Sequence, residues 1–371
     1  MTFVSLVFRN LFRQRMRTTL TIVGISIGIT IVVALGAITG GVRKTVGGWL
    51  QVGGADFVVA RKGSADFSFS TVSDREWRQL GALDGVERTT GALIRVTRHG
   101  SNPYFILIGV RAEDLAQAPP ELVSGRLPRL RSTHEAILGS RAAARDRVAP
   151  GSMVTIDEER FRVVGIYRSD DVMTDSGAYA PLQTVREIAR TPGVVTGVWL
   201  TASTGTNTAE LAATIEERFP TLVTVSGVED FGKVDQGIAI MDALDLAVTV
   251  LAVGVGAIAV MNTMIMAVFE RTREFGILRA VGWRGSRIMR LVVTEALLLC
   301  LIAAMAGALL GVLATRGVML IEAVQGFLEP TYTLDVFVRA IVIAVAVGLA
   351  GALYPAYRAL RLSPMDALRH E

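Results

Sequence analysis

The chain has 371 residues, of which 51% are hydrophobic and 19% charged, with a formal net charge of +4 and a mean hydropathy of +0.46. A charged fraction below the roughly 25% of soluble domains excludes a disordered chain, a coiled coil and a nucleic-acid-binding tail. It also argues against a single soluble enzyme domain, because so large an apolar excess is either spread through a very large core or concentrated in membrane spans.

Residues 1–17 place Phe3, Val4, Val7, Phe8, Leu11 and Phe12 along one side of a helix and Arg9, Asn10, Arg13 and Arg17 towards the other. They read either as an interfacial helix or as the start of the first span. Residues 18–42 then carry no charge over 25 positions, enough to cross a bilayer. A cleaved signal sequence has an apolar run of about 7–15 residues, so this segment is expected to remain as a span. Its Gly24-x-x-x-Gly28 and Gly36-x-x-x-Gly40 pairs predict close helix packing, as a dimer contact or within the chain. The stretch GAITGGVRKT (Gly36 to Thr45) looks superficially like a phosphate-binding loop, but Val42 and Arg43 separate Gly41 from Lys44, and the Gly-Lys-Thr end is missing.

Residues 43–245 are too many for a loop and read as an α/β domain. Strands are predicted over 56–60, 86–98, 104–110, 197–201 and 222–225, with a hairpin from 153–156 and 161–167. Ser73 followed by Glu76 is a capping box opening a helix at Asp74. The texture changes over about 120–190, which predicts a second subdomain inserted into the first. Residues 229–245 are amphipathic and lead without a breaker after Gly237 into the second span, 246–269, as a rigid stalk.

The third and fourth spans are predicted over 291–315 and 339–357, joined by a loop over 316–338. Glu295 and Arg339 fall at their edges, where snorkelling to the interface is the expected state. Cys300 is the sole cysteine, so no intrachain disulfide holds the large domain. His99, His134 and His370 lack metal-ligand spacing, and there is no nucleophile elbow or acid/base pair: no catalytic and no metal residue is predicted.

Charge gives the orientation. Arg9, Arg13, Arg15 and Arg17 precede the first span with no acid among them. The 270–290 segment holds Arg271, Arg273, Arg279, Arg284, Arg287 and Arg290 against Glu270 and Glu274, and the 358–371 tail is also basic. The 316–338 loop, by contrast, is acidic. By the positive-inside rule both termini and the 270–290 segment are cytoplasmic, in a multi-pass protein of the cell (inner) membrane, and 43–245 is extracytoplasmic.

Three stretches carry a family resemblance: MNTMIMAVFERTREFGILRAVG (Met261 to Gly282), NLFRQRMRTTLTIVGISIGI (Asn10 to Ile29) and GALYPAYRALRLSPMDALRHE (Gly351 to Glu371). Together with EAILGSRAAARD, APGSMVTIDEERFRVVGIYR and AYAPLQTVREI in the outer domain, they resemble the MacB/FtsX-like permeases of ABC transporters of type VII over nearly the whole chain. The resemblance implies a membrane α-helical fold with four transmembrane helices and an α/β extracytoplasmic domain between helices 1 and 2. That domain would hold a porter-like part, about 50–118 and 194–230, and a sabre-like part, about 120–190.

The resemblance further implies that Glu270 to Gly282 is a coupling helix docking on an ABC ATPase, with Glu270, Arg271, Thr272, Arg273, Glu274, Phe275, Gly276, Leu278, Arg279 and Gly282 as coupling residues. The expected ATPase is a separate subunit that binds ATP and Mg; this chain would hold no cofactor of its own. Its other implied partners are a second copy of the chain or a similar permease, and a periplasmic adaptor. The implied function is export or extraction of an amphiphilic drug, peptide, lipid or lipoprotein by mechanotransmission. The alternative is an FtsX-like regulator that passes ATPase movement to an extracytoplasmic partner such as a cell-wall hydrolase. A membrane-anchored binding protein with no ATPase would not need the 261–282 motif.

Overall fold

A computed structural model of the protein describes residues 15–50, 54–100, 102–320 and 329–361. Most of the proposed interfacial helix and the C-terminal Pro-x-x-Ala-Leu-Arg motif lie outside the described residues. The chain forms two compact units, one of residues 39–242 with 319–331 and the other of residues 1–38, 243–318 and 332–371.

The first unit is built on one mixed sheet. Its strands are β1 (Phe57–Arg61), β3 (Val86–His99), β4 (Asn102–Val110), β5 (Glu121–Gly125), β6 (Glu135–Gly139), β7 (Met153–Ile156), β8 (Glu159–Arg168), β9 (Ala178–Pro181), β11 (Gly197–Ala202) and β12 (Leu222–Val225). They lie in the order β12-β1-β11-β3-β4-β9-β6-β8-β5, with β7 paired to β8; a short β2 (Val72–Ser73) pairs β10 (Val194–Val195) apart from it. The central segment is inserted in sequence, yet its strands extend the same sheet. Parallel pairing of β4 with β9, from Leu107 opposite Ala178 to Val110 opposite Pro181, makes the join.

Strand alternation explains why both faces are covered. Phe57, Val59, Leu93, Phe105 and Leu107 point into one apolar layer, and Val58, Ala60, Ile94, Ile106 and Ile108 into the other. The first layer also takes in Trp77 and Leu80 of the helix Asp74–Gly81, Leu182 and Val185 of Leu182–Ala189, and Leu211 and Ile215 of Thr208–Arg218. The capping box expected at Ser73 is formed in full. The β7–β8 hairpin turns through Asp157 and Glu158, both at positive φ, as a two-residue turn that matches strand twist requires.

Four helices are long and apolar enough to cross a membrane. They are α1 (Arg15–Leu50), α8 (Gln236–Glu270), α10 (Gly285–Val318) and α11 (Leu334–Arg361), with a shorter α9 (Thr272–Ala280) between α8 and α10. Intervening helices in chain order are α2 (Asp74–Gly81), α3 (Ala112–Gln117), α4 (Ser140–Asp146), α5 (Val172–Asp175), α6 (Leu182–Ala189) and α7 (Thr208–Arg218). Each long helix outruns its charge-free segment, because charge ends an apolar run but does not break helical hydrogen bonding. Where a continuous stalk over 229–245 was expected, Val228–Lys233 is a 3-10 turn and α8 starts only at Gln236.

The second unit packs its spans through small residues. A Cβ at Gly307 would lie 2.7 Å from the Ser26 carbonyl oxygen, and one at Gly311 2.9 Å from Val33 Cβ. Ser26 Oγ donates to the Ala303 carbonyl at 3.1 Å and Thr30 Oγ1 to that of Gly307 at 3.1 Å. Without a hydrophobic drive between helices in lipid, such close approach and interhelical hydrogen bonding hold the bundle. Helices α8 and α11 meet in the same way, Gly351 against Val260.

Candidate coupling surface

Helix α8 ends at Glu270, and Arg271 departs from helical geometry at φ −105° and ψ 11° to start α9. Its side chain then turns inward. Arg271 Nη1 donates to Glu295 Oε2 of α10 at 2.9 Å and Nε to Glu274 Oε2 at 3.3 Å, and the guanidinium lies 5.0 Å from the Phe275 ring centroid. Arg271 and Glu295 keep only 12% and 8% of their side-chain surface exposed. Glu295 therefore does not snorkel. A carboxylate in an apolar helix must be solvated or paired, and here the partner is supplied by the segment 24 positions earlier in the chain. Arg339 is likewise held within the bundle, by the Asp245 carboxylate and by Thr249 Oγ1 at 2.6 Å.

The rest of the inner face is packed. Phe275 is 1% exposed and Gly276 is buried. Leu278 joins the same apolar cluster, and Arg279 donates to the Leu360 carbonyl of α11 at 3.2 Å. Glu270 pairs with Arg17 of α1 at 3.2 Å, and Thr272 Oγ1 donates back to the Val268 and Phe269 carbonyls. Gly282 closes the helix at φ +99°, while Trp283 N–H bonds the Leu278 carbonyl at 3.0 Å. That is a left-handed cap suited to glycine.

Among the described residues the outer face is open. Arg273, Ile277, Ala280, Val281 and Arg284 are exposed, with Glu274 beside them. Arg273, Ile277 and Val281 follow at spacings of four, and Ala280 lies three from Ile277, so these four share one side of the helix, while Arg284 follows the Gly282 cap. Ile277 and Val281 are 49% and 76% exposed, an apolar pair flanked by charge of both signs. The ten residues singled out in sequence thus split. Arg271, Phe275, Gly276, Leu278 and Arg279 anchor α9 to its own bundle, Arg273 and Glu274 face outward, Glu270 and Thr272 tie down the preceding turn, and Gly282 makes the cap. Sequence reading alone missed Ala280 and Arg284 as members of the open face. Helical spacing from Ile277 was the signal that could have found Ala280, whereas Arg284 lies beyond the Gly282 cap, where that spacing no longer applies.

The four glycines of α1 also split. A Cβ at Gly24 would meet nothing within 4 Å among the described residues. One at Gly28 would touch Ala252 Cβ of α8 at 3.4 Å, one at Gly36 Val336 of α11 at 3.6 Å, and one at Gly40 the Thr331 carbonyl at 3.4 Å. Gly24 sits in an exposed stripe with Met16, Leu20, Val23, Ile27 and Ile31.

Residues 18–218 match the family described as MacB-like periplasmic core domain, and residues 246–364 match FtsX-like permease C-terminal. The chain is 27% identical over 391 residues to the macrolide export ATP-binding/permease protein MacB of Sodalis glossinidius, covering 96% of this chain and 59% of that protein. It is 27% identical over 385 residues to the protein of the same name from Escherichia coli, with 96% and 59% covered. It therefore spans a little over half the length of these relatives. Among solved structures, the periplasmic region of MacB from Actinobacillus actinomycetemcomitans superposes with a TM-score of 0.38 at 13% identity, over 47% of this chain and 90% of that one.

Proposed function

The chain belongs to the MacB-like, FtsX-like permease family of ABC transporters, and from that premise we propose that it couples ATP hydrolysis in a separate ATPase subunit to the export or extraction of an amphiphilic substrate. The observation that carries the coupling half is the division of α9. Its inner face is fastened to its own bundle through Arg271, Phe275 and Arg279, while Arg273, Ile277 and Val281 on its outer face are exposed among the described residues. A helix so fastened moves with its bundle when a partner pushes on it. ATP and Mg belong to that partner, and this chain contributes an interface. The alternation of charge supports a cytoplasmic position for α9 and both termini.

The outer domain receives the movement in this reading, and a second copy or a similar permease completes the pair. The relatives' names specify macrolide export; for this chain the class extends to amphiphiles generally. Mechanotransmission accounts for ATP being spent on one side of the membrane and substrate handled on the other.

The test is co-purification of a candidate ATPase with the full chain carrying Ile277→Asp or Arg273→Glu, both on the open face. Loss of the ATPase with normal membrane insertion supports docking there. Undiminished co-purification overturns it. ATPase rate against a panel of amphiphiles tests the transport half, and no stimulation by any of them would favour the regulatory alternative.

A further inference from the structure

The unit of residues 39–242 with 319–331 contains an apolar cleft of about 390 Å³ whose floor is the sheet, through Ile94, Val96 and Ile106, and whose walls include Val46 of α1 and Ile238 of α8. That volume lies at the small end of cavities that enclose drug-sized ligands, about 300–1,000 Å³. It suits one hydrocarbon chain better than a two-chain lipid.

Its charged side chains share one sign. Asp66 and Asp235 line the cleft, and no lysine or arginine does among the described residues. Asp235 is 7% exposed and accepts from the backbone N–H groups of Phe67 at 3.1 Å and Gly237 at 2.8 Å. Burial and the neighbouring Asp66 carboxylate both raise its pKa. Asp66 is exposed and accepts from Ser68 N–H and Oγ. Glu329, also at the cleft, is already paired with Arg141 at 3.5 Å.

Four aromatic side chains complete the lining. Phe67 and Phe231 are buried, their ring centroids 5.1 Å apart, whereas Phe69 and Tyr104 are 70% and 46% exposed. Aromatic faces beside carboxylates, with no competing cation, form the surroundings that an ammonium group prefers. An exposed phenyl ring at an apolar cleft is otherwise costly to leave in water.

We propose that this cleft binds a single-chain, amine-headed amphiphile, with its hydrocarbon on the Ile94, Val96 and Ile106 floor and its ammonium among Phe69, Tyr104 and the Asp66 and Asp235 carboxylates. This deepens the export reading by naming a substrate class and rests on it only for the ligand's fate. An anionic amphiphile of equal length would meet like charge.

The test uses the full chain in phosphatidylcholine nanodiscs with a dodecyltrimethylammonium probe carrying a photoreactive diazirine at the chain end. A dodecyl sulfate probe of the same design is the control. Labelled peptides are mapped by mass spectrometry. Expected is labelling on β3 and β4 by the cationic probe, exceeding that by the anionic one about ten-fold. Val96→Trp, which fills the floor, should abolish it. Asp66→Asn, which keeps the acceptor oxygen used by Ser68, and Tyr104→Leu should each reduce it several-fold with unchanged circular dichroism. Equal labelling by both probes, or labelling confined to the spans, overturns the proposal. Co-purification of the ATPase is measured on the same variants and stays intact either way, so failure of the cleft and failure of the coupling reading are told apart.

Discussion

Arg271 reaches from the first position after α8 to Glu295 in the interior of α10, with 2.9 Å between Nη1 and Oε2. Removing one member of a buried pair strands the other charge, at a cost of about 3–5 kcal/mol, whereas replacing both by apolar groups is often neutral. Arg271→Met should therefore lower the Tm of the purified protein more than Arg271→Met with Glu295→Leu. A thermal unfolding series on the two singles and the double gives the coupling, and strictly additive losses would show that the pair contributes nothing.

Close approach of α1 and α10 depends on Gly307. A methyl group there would lie 2.7 Å from the Ser26 carbonyl oxygen and 2.8 Å from Ile29 Cβ, so Gly307→Ala should destabilise the bundle by about 1–3 kcal/mol. The readout is the fraction of protein remaining monodisperse after heating in mild detergent. Gly254→Ala, with nothing within 4 Å, is the matched control and should behave like the parent.

Ser73 caps the helix Asp74–Gly81 from both directions. Glu76 N–H donates to Ser73 Oγ at 3.2 Å, while Ser73 N–H donates to Glu76 Oε2 at 2.7 Å. The same carboxylate accepts from Arg61 of β1 at 3.2 Å. Ser73→Ala should cost about 1 kcal/mol, measured by urea unfolding of the full protein. Glu76→Gln should cost more than the cap alone, since it also weakens the tie to β1.

The pairing of Arg126 with Glu135 gives a pH signature. Two guanidinium bonds, at 2.6 and 2.9 Å, and the Arg129 N–H at 2.9 Å hold the Glu135 carboxyl at about 2, down from 4.5, the Arg126 hydrogen bond being the largest cause. Because the folded pKa lies below the unfolded one, the stabilisation is complete above about pH 4.5 and is lost as pH falls towards 2. The difference in urea midpoint between the parent and Glu135→Gln should thus be constant from pH 7 to 5 and shrink below that. A gap that widened on acidification would contradict the assignment.

Local signals made much of this legible in sequence. The spans follow from uncharged runs, the Ser73 cap from its Ser-x-x-Glu spacing, and the β7–β8 hairpin from alternation around Asp157. The continuous sheet was not legible, because pairing of β4 with β9 joins residues some 70 positions apart and no local periodicity encodes it. Glu295 was misread for the same reason. Its place near a span end suggested solvent, and only the turn at Arg271 brings its partner inward. The two faces of α9 were half legible: motif resemblance located the helix, while its anchoring by Arg279 depends on the Leu360 carbonyl, 81 positions later in the chain.

Association through α1 makes a sharper prediction than the glycine motif alone. Gly28, Gly36 and Gly40 already face neighbours in their own chain at 3.4–3.6 Å, whereas Gly24 faces none among the described residues. Leucine at Gly28 would press on Ala252 and disturb the bundle before it could affect a partner. Leucine at Gly24 adds bulk only to the outer stripe of Met16, Leu20, Val23, Ile27 and Ile31. If two copies meet through that stripe, Gly24→Leu should lower cysteine crosslinking from Ile27→Cys several-fold while leaving Tm unchanged, since small residues set how closely helices approach in lipid. Gly28→Leu should instead lower Tm. Equal crosslinking in the parent and Gly24→Leu would move the contact between copies away from α1, because this stripe is the open face that the helix presents among the described residues.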